Sequence, residues 1–396
     1  MQALSALLAL LLAAAAFGAE DPSTLRGKVM CGYQGWFNAP GDGMDRGFYH
    51  YQRKGKFEPD FCTIEYWPDE SELEADEKYP TPFRRKDGSV ACVPSSANPK
   101  TVLRHFREME QFGISGVFAQ RFVGEIANPS GLRHFNRVLD NIRNAAAETG
   151  RVYAVMYDLS GAEKFDVLER DLNHLIESGI TADQAYLKHN GKPLVAIWGL
   201  FGDRPGSIEL MEKAVPLLKQ KNFAIMVGCN NDWRSSQTAE NKRIRAILEE
   251  CDVISPWAVG RYDNNGLERF LESHVRQDLA WCQKRKIDYL PVIYPGFSWY
   301  NLHGGKFDQI PRLKGQFFWN QVAGNLNRGA EMLYVAMFDE IDEGTAICKV
   351  SANPPEGGKC RFLTYDVPAD HYLFLAGEAA KALRGPRPVP ARMPKR

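Results

Sequence analysis

The feature that most constrains the fold of this chain is an alternation of short apolar runs with amphipathic runs, repeated about eight times. The apolar runs, such as KVMCGYQGWF from Lys28 and EMLYVAMFDE from Glu331, are rich in β-branched and aromatic residues and predict strands. The intervening runs have the helical period, and several end at a glycine, as at Gly113 and Gly150. Eight such units predict an α/β protein with a single (β/α)8 TIM barrel.

The predicted strands share an apolar beginning and a polar or aromatic end. They start at Lys28, Ser115, Arg151, Pro193, Phe223, Asp252, Asp288 and Glu331. A doubly wound sheet is the alternative, but GYQGWFNAPGDG after the first strand lacks the G-x-G-x-x-G phosphate loop of that fold. Two stretches, 38–98 and 346–368, interrupt the alternation and predict long loops on the C-terminal rim, where barrels build active sites.

The two ends of the chain differ in composition from the predicted barrel, residues 20–385. Residues 1–19 form an apolar, alanine-rich run that predicts a cleaved signal peptide and export to a periplasm or to the medium. A membrane-tethering helix stays open as the alternative, because this run contains no Lys or Arg. After cleavage we expect no stable membrane span. Residues 386–396, rich in proline and basic residues, predict a disordered tail.

Composition argues against several kinds of partner and chemistry. Lys plus Arg equals Asp plus Glu at 49 each, so no net charge would attract nucleic acid or an anionic membrane. The eight histidines are scattered without H-E-x-x-H, and G-x-S-x-G and P-loop motifs are absent from the sequence. We therefore predict no obligatory metal and no organic cofactor.

Eight cysteines in an exported chain make disulfides plausible. Cys62 with Cys92, and Cys348 with Cys360, bracket loops and are the predicted pairs. Cys31 and Cys229 lie in apolar strand-like runs, where a disulfide and a reduced core thiol stay equally open.

The sequence MFDEIDEGTAI places four acids where the last predicted strand ends, and a barrel collects catalytic groups there. Hydrolysis of a glycosidic bond needs one carboxylic acid to protonate the leaving oxygen and a second carboxylate across the sugar ring. Glu340 and Glu343 are the predicted catalytic pair. Positions three apart face opposite sides of a straight strand, so the backbone must turn, and Gly344 makes a turn easier.

This motif, Glu340-x-x-Glu343-Gly344-Thr345, resembles the E-x-x-E-G-T motif of glycoside hydrolase family 99, which contains endo-α-mannosidases and endo-α-mannanases. The start GKVMCGYQGWF is similar to the wider family 71/99-like group. The resemblance implies that Glu343 is the general acid/base and that Glu340 deprotonates the sugar 2-hydroxyl, giving a 1,2-anhydro intermediate and retention. Ile341 and Asp342 depart from the aromatic and His residues usual between the two acids, so catalytic type transfers better than substrate.

Side chains at the ends of the other predicted strands suit a sugar ligand, because aromatic rings stack on pyranose faces while amides, Asp and Arg bond to hydroxyls. Any one of them alone is as readily a packing residue. The predicted substrate-binding residues are Tyr33, Gln34, Trp36, Gln120, Arg121, Asp158, Trp198, Asn230, Trp257, Tyr294, Trp299 and Asp339.

These observations predict a secreted, monomeric glycoside hydrolase that degrades an oligosaccharide or polysaccharide. By the resemblance, α-linked and mannose-configured substrates are favoured. Two alternatives stay open: a catalytically inactive carbohydrate-binding barrel, and a transglycosylase that uses the same carboxylates.

Overall fold

The computed structural model describes residues 18–160, 165–204, 206–235 and 237–396. The predicted signal peptide, residues 1–19, lies outside these residues except for its last two positions. Within the described ranges, no helix has the length and apolar character needed to cross a membrane.

The described residues form twelve strands, nine of which make one curled parallel sheet in the order β10-β9-β8-β7-β5-β4-β1-β12-β11. Strand β6 pairs antiparallel with β7, and β2 with β3 forms a separate hairpin. The strands are β1 (Val29–Tyr33), β2 (Tyr79–Arg84), β3 (Val90–Val93), β4 (Gly116–Phe122), β5 (Val152–Asp158), β6 (Lys188–His189), β7 (Lys192–Leu200), β8 (Ala224–Asn230), β9 (Val253–Trp257), β10 (Asp288–Tyr289), β11 (Val292–Ile293) and β12 (Leu333–Val335).

The two outer strands of this sheet, β10 and β11, are halves of one predicted strand divided at Leu290 and Pro291. The Leu290 N–H donates to the Ile254 carbonyl at 2.9 Å, and the Pro291 carbonyl accepts from the Tyr334 N–H at 3.0 Å. Proline has no N–H to donate to a neighbouring strand, which accounts for the break between β10 and β11. Because the divided strand bonds to β9 on one side and β12 on the other, the sheet curls back on itself, and the predicted TIM-barrel class is confirmed.

Helices alternate with these strands and cover the outside of the sheet. Asn98 caps the first one through its side chain, and Gly113 ends it in the left-handed conformation at φ 78°. Residues Leu271–Val275 form a π-helical turn that joins α7 to α8. The helices are α1 (Pro99–Phe112), α2 (Val123–Ile126), α3 (Pro129–Thr149), α4 (Phe165–Glu177), α5 (Ser207–Gln220), α6 (Ala239–Leu248), α7 (Leu267–Phe270), α8 (Arg276–Arg285), α9 (Tyr300–His303), α10 (Gln316–Asn327) and α11 (His371–Arg384).

The barrel strands are buried on both faces, which explains their continuous apolar runs. All seven residues of β4 are buried, and so are the first six of β5. A parallel strand between a filled barrel and a helix layer meets no water on either side. The core therefore runs through the barrel, and the active-site candidates are confined to its ends.

The two sequence stretches that interrupt the alternation pack against each other on the rim. Trp67 of the first stretch is fully buried, with its ring 5.4 Å from that of Phe362 in the second. The Leu363 N–H donates to the Glu65 carbonyl at 2.7 Å. The long rim loops thus form one layer with its own aromatic core.

All eight cysteines are free thiols, and the predicted disulfides Cys62 with Cys92 and Cys348 with Cys360 are not formed. The thiol of Cys62 hydrogen-bonds instead to that of Cys360. Packing of the two rim stretches explains this proximity, since the Asp60 N–H donates to the Gly357 carbonyl at 2.9 Å.

Residues 386–396 contain no helix or strand and run along α10. Val389 is buried there, its N–H donating to Asn327 Oδ1 at 2.7 Å and its carbonyl accepting from Asn327 Nδ2 at 2.9 Å. The predicted tail is therefore bonded to the barrel at this point.

Candidate active site

A cavity of about 770 Å³ opens at the carboxyl ends of the barrel strands. Its wall combines rings with amide and carboxyl groups. The rings belong to Trp36, Phe122, Trp198, Phe201, Trp257, Phe297 and Trp299, and the amides and acids include Gln34, Gln120, Asp158, Glu340 and Glu343.

The carboxyl groups of Glu340 and Glu343 line the same cavity because the backbone turns over residues 341–344. Gly344 has a φ of 68°, in the left-handed region that favours glycine. A Cβ added there would lie 3.1 Å from the Ser298 nitrogen, tighter than nine in ten ordinary contacts. The turn that brings the two acids together therefore depends on this glycine.

Glu340 is buried and accepts two side-chain hydrogen bonds. Gln34 Nε2 donates to one carboxylate oxygen, and the Thr345 hydroxyl donates to the other at 2.7 Å. Burial, and then the charge of Glu343, raise the pKa of Glu340 well above its ordinary value, while both donors act to lower it.

Glu343 is half-buried and accepts a hydrogen bond from the side chain of Trp299. Its backbone carbonyl accepts from the Ser298 N–H at 3.0 Å, which fixes the turn to the loop after β11. Burial, and then the charge of Asp342, raise the pKa of Glu343 to about 8. Burial therefore favours the protonated form of Glu343.

Asp339 lies beneath the pair instead of in the cavity. Its carboxylate accepts from the Gln34 N–H at 2.7 Å and the Gly35 N–H at 2.9 Å. Burial raises the pKa of Asp339 to about 7, although the two backbone hydrogen bonds act to lower it. Asp339 thus holds the backbone of Gln34, whose side chain contacts Glu340.

A histidine between two carboxylates forms another part of the wall. His50 stacks on Trp36 with ring centres 3.9 Å apart, and its nitrogens lie 3.5 Å from Glu125 Oε1 and 3.6 Å from Asp342 Oδ2. Burial lowers the pKa of His50, but the bonds to Asp342 and Glu125 outweigh burial and raise it above its ordinary value. The raised pKa favours the protonated ring, whose charge would balance part of the negative charge around the pair.

Another buried acid, Glu65, connects the rim layer to the turn that carries Glu343. It accepts from the Ser298 hydroxyl and from the Asn301 N–H, each at 2.6 Å. Its own N–H donates to the Ile341 carbonyl at 2.8 Å. Burial raises the pKa of Glu65 to about 7. Glu65 thus ties the Trp299 loop to the turn that carries Glu343.

Several buried polar atoms in the cavity wall have no hydrogen-bond partner among the described residues. They are Gln34 Oε1, Trp36 Nε1, Gln120 Oε1 and Trp198 Nε1. A buried polar group without a partner costs about 1–3 kcal/mol, so a ligand rich in hydroxyls would recover part of this cost. Within the described ranges, no group of three or more His, Cys, Asp or Glu residues is placed to hold a metal ion.

Nine of the predicted site residues line this cavity, and the other five do not. Those in the wall are Gln34, Trp36, Gln120, Asp158, Trp198, Trp257, Trp299, Glu340 and Glu343. Those elsewhere are Tyr33, Arg121, Asn230, Tyr294 and Asp339.

Strand alternation explains why Tyr33 and Arg121 lie elsewhere. Successive side chains face opposite sides of a strand, so Tyr33 and Arg121 point away from the cavity that Gln34 and Gln120 enter. The Tyr33 hydroxyl lies 2.9 Å from His105 Nδ1, and Arg121 forms a buried ion pair with Asp171.

Tyr294 and Asn230 have different surroundings. The Tyr294 hydroxyl is buried and donates to the Tyr262 carbonyl. Asn230 lies in a neighbouring groove on the same rim.

The sequence prediction missed several wall residues, of which some lie within the predicted strand runs and the others on loops or short helices. They are His50, Phe122, Gly124, Glu125, Ser160, Phe201, Asp203, Arg204, Val259, Gly260, Arg261, Phe297, Gln309 and Met337. Phe122, as the last residue of β4, carried a usable signal. The loop residues carried none, because their position depends on how distant loops pack.

Comparison with known proteins adds the fold relationship. No family model matches the sequence, and no curated protein matches it. The structure of the GH99 endo-alpha-mannosidase from Bacteroides thetaiotaomicron aligns with a TM-score of 0.67 and 15% identity, over 91% of this chain and 98% of that chain. A structure described as a glycoside hydrolase-like protein aligns with a TM-score of 0.55 and 15% identity, over 82% and 97% of the two chains. The chain therefore has a GH99-like fold.

Proposed function

We propose that this protein is a retaining glycoside hydrolase that acts on an α-linked glycan, with Glu343 as general acid/base and Glu340 as the base toward the sugar. The observation that carries the proposal is that both carboxyl groups face one aromatic-lined cavity from a single turn. Mannose-configured substrates are favoured by the resemblance of the Glu340-x-x-Glu343-Gly344-Thr345 motif to family 99 and by the likeness of fold.

The hydrogen bonds of the two acids support this division of roles. Two carboxylates in one buried site repel each other, so one of the two carboxyl groups tends to keep its proton. Glu340 accepts two bonds, from Gln34 and Thr345, which stabilise its ionised form. Glu343 accepts one side-chain bond, from Trp299, so fewer bonds stabilise its ionised form. The hydrogen bonds therefore favour Glu343 as the proton donor and Glu340 as the acceptor.

In the proposed reaction, Glu340 removes the proton of the sugar 2-hydroxyl, whose oxygen attacks C1 while Glu343 protonates the departing glycosidic oxygen. Water then opens the 1,2-anhydro ring at C1, giving one proton to Glu343, while Glu340 returns its proton to O2. Two inversions at C1 give net retention. Trp257 and Trp299 would stack on sugar faces, and Gln34, Gln120 and Asp158 would bond to hydroxyls.

The cellular setting is part of the proposal. Residues 1–19 would direct export and be removed, and residues 20–385 would act as a monomeric catalytic domain on an extracellular or periplasmic oligosaccharide or polysaccharide.

A hydrolysis screen tests the proposal. The purified protein, Glu340→Gln and Glu343→Gln would be assayed on α-linked manno-oligosaccharides, α-glucans and aryl α-glycosides. Glu177→Gln, at an exposed position of α4, is the matched control. We expect each active-site change to lower kcat/KM by about 10²–10⁴-fold, the usual contribution of a positioned acid or base, in variants that still unfold in one cooperative transition.

Three other outcomes would contradict the proposed residues or indicate a different function. Activity that survives both substitutions would remove Glu340 and Glu343 from the mechanism. Sugar binding without turnover in the unaltered protein would indicate a carbohydrate-binding barrel. Longer products in the presence of an added sugar acceptor would indicate a transglycosylase.

A further inference from the structure

Arg312, in the loop between α9 and α10, is a buried cation that bonds to the backbone just after the turn with the two acids. Its Nη2 donates to the Gly344 carbonyl at 2.8 Å and to the Ala346 carbonyl at 2.7 Å. These carbonyls lie on either side of Thr345, whose hydroxyl donates to Glu340 at 2.7 Å. One guanidinium nitrogen therefore holds the chain on both sides of a residue that bonds to Glu340.

Three tyrosine rings, the tyrosine box, surround the guanidinium of Arg312. Its central carbon lies 4.6 Å from the ring centre of Tyr66, 4.7 Å from that of Tyr365 and 4.5 Å from that of Tyr372. A cation at this distance from an aromatic ring is attracted to it. The rings come from the first rim stretch, the second rim stretch and α11, so three distant segments fix the direction of the guanidinium.

Gly296 leaves the space that the stem of Arg312 occupies. A Cβ at Gly296 would lie 2.6 Å from Arg312 Cγ and 2.9 Å from the Ile310 carbonyl oxygen, closer than real side chains approach. The φ of Gly296 lies outside the left-handed region, so this position requires space and not an unusual backbone conformation.

The surroundings of Arg312 supply no counter-charge in contact with it. Three rings and two carbonyls surround the guanidinium, and no carboxylate among the residues that the structure describes is ion-paired with it. Burying a charge without an oppositely charged partner costs free energy, and an apolar residue of similar volume avoids that cost. The bonds to the two carbonyls give a reason for a guanidinium that packing alone does not.

We propose that Arg312 is a positioning residue for the catalytic pair: it holds residues 344–346 so that Thr345 keeps its bond to Glu340 and Glu340 keeps its place in the cavity. This inference rests on the proposed hydrolase function. A lysine at this position would keep the charge, but its ammonium group lacks the planar fork of the guanidinium that fits the tyrosine box.

The test uses Arg312→Lys, and Gly296→Ala as a second variant that displaces the stem of Arg312 without changing it. Arg151→Lys is the matched control. Arg151 is also fully buried and donates to two backbone carbonyls, those of Thr149 at 3.2 Å and Ile114 at 3.4 Å. It lies at the amino end of β5, opposite the cavity, so its replacement disturbs a buried arginine without disturbing the turn.

The first measurement is kcat and KM on an α-linked manno-oligosaccharide, at a temperature well below the Tm of every variant. Arg312→Lys should lower kcat by about tenfold to 10²-fold, as expected for a small displacement of a reacting group, while KM changes little because the cavity wall is intact. Gly296→Ala should lower kcat in the same way, also if Arg312→Lys does not fold. Arg151→Lys should keep kcat even where its Tm falls.

An unchanged kcat in Arg312→Lys, or an equal loss of kcat in Arg151→Lys, would overturn the role of Arg312 and leave the hydrolase standing. Failure of the hydrolase would look different, since the unaltered protein would cleave none of the substrates.

Hydrogen exchange followed by mass spectrometry then decides, because it needs no turnover. The segment 337–348 contains the N–H of Ala346, which donates to the Glu340 carbonyl at 3.1 Å. This segment should exchange faster in Arg312→Lys and Gly296→Ala than in the unaltered protein, and at an unchanged rate in Arg151→Lys. Unchanged exchange of the segment in Arg312→Lys would overturn the proposal.

Discussion

Trp299 donates a hydrogen bond that lowers the pKa of Glu343. Burial and the charge of Asp342 raise the pKa of Glu343 to about 8, and the bond from Trp299 acts against them. A general acid works only while protonated, so kcat/KM should fall as the pH rises through about 8. Trp299→Phe keeps an aromatic ring but removes the hydrogen-bond donor, so the pKa of Glu343 should rise. The decrease of kcat/KM at basic pH, the basic limb of the profile, should therefore move to higher pH.

The measurement is the pH profile of kcat/KM for the unaltered protein and Trp299→Phe. Trp257→Phe is the matched control, because Trp257 lines the same cavity and is not among the groups that shift the pKa of Glu343. It should leave the position of the basic limb unchanged, whatever its effect on rate. An unmoved limb in Trp299→Phe would show that this bond does not tune the acid.

At the scale of residues, the sequence located the acids better than it located their neighbours. Acids directly after an apolar strand are a local signal, and both Glu340 and Glu343 line the cavity. Tyr33 and Gln34 differ by one position, and only the side-chain parity of the strand decides which of them faces the cavity. His50 carries no local signal, because its partner Asp342 lies near the other end of the chain.

Among the structural elements, the rim layer depends on Glu65. Removing its carboxylate in Glu65→Ala would leave the Ser298 hydroxyl and the Asn301 N–H without their acceptor. A stranded buried donor costs about 1–3 kcal/mol, so we expect a loss in the free energy of unfolding of at least that size. Activity should also fall, because the loop that carries Trp299 loses its attachment to the turn over residues 341–344.

Urea unfolding of Glu65→Ala measures this effect. Glu58→Ala, in the same insertion, is the control, because its ion pair with Lys56 at 3.3 Å is partly exposed and should contribute less than about 1 kcal/mol. A Glu65→Ala protein as stable and as active as the control would contradict the proposed link between rim layer and turn.

The elements themselves were more predictable than their connections. Each predicted strand run contains a strand of the sheet, because buried parallel strands have continuous apolar sequences. The run from Asp288 gave no sign of its division into β10 and β11 beyond Pro291. The pairing of β2 with β3, and the contact between Cys62 and Cys360, depend on packing between distant loops that no local pattern encodes.

For the molecule as a whole, buried acids should make stability depend on pH. Among the carboxyl groups whose pKa is raised chiefly by burial, five reach values near neutrality, about 7 in four of them and about 8 in the fifth. They are Glu65, Glu108, Asp278 and Asp339, and then Glu343.

The sign follows from proton uptake. These folded-state pKa values exceed those of the unfolded chain, so the folded state holds more protons and loses stability as the pH rises through about 7 to 8. Buried His105 and His134, with pKa values lowered to about 3 and about 4, act oppositely, but only below their unfolded value of 6.5. Cys360, with a pKa lowered to about 7, is one opposing group against five. We therefore expect Tm to fall between pH 6.5 and 8.

Scanning calorimetry at a series of pH values in that interval measures the trend. A Tm that stays constant or rises from pH 6.5 to 8 would contradict the account of the buried acids. In Asp339→Asn, which cannot ionise at this position, the fall in Tm over the interval should be smaller, although the protein loses the hydrogen bonds of one carboxylate oxygen.

The most direct test of the central claim, that Glu343 protonates the leaving group while Glu340 acts on the sugar, is the leaving-group dependence of kcat/KM in the two Gln variants. The fluoride ion of an α-glycosyl fluoride leaves with little need for protonation, whereas the glycosidic oxygen of an oligosaccharide must receive a proton to leave. Glu343→Gln should lose about 10²–10⁴-fold on the oligosaccharide and much less on the fluoride, and Glu340→Gln should lose similar factors on both. Equal losses of Glu343→Gln on both substrates, or no loss on either, would contradict the claim.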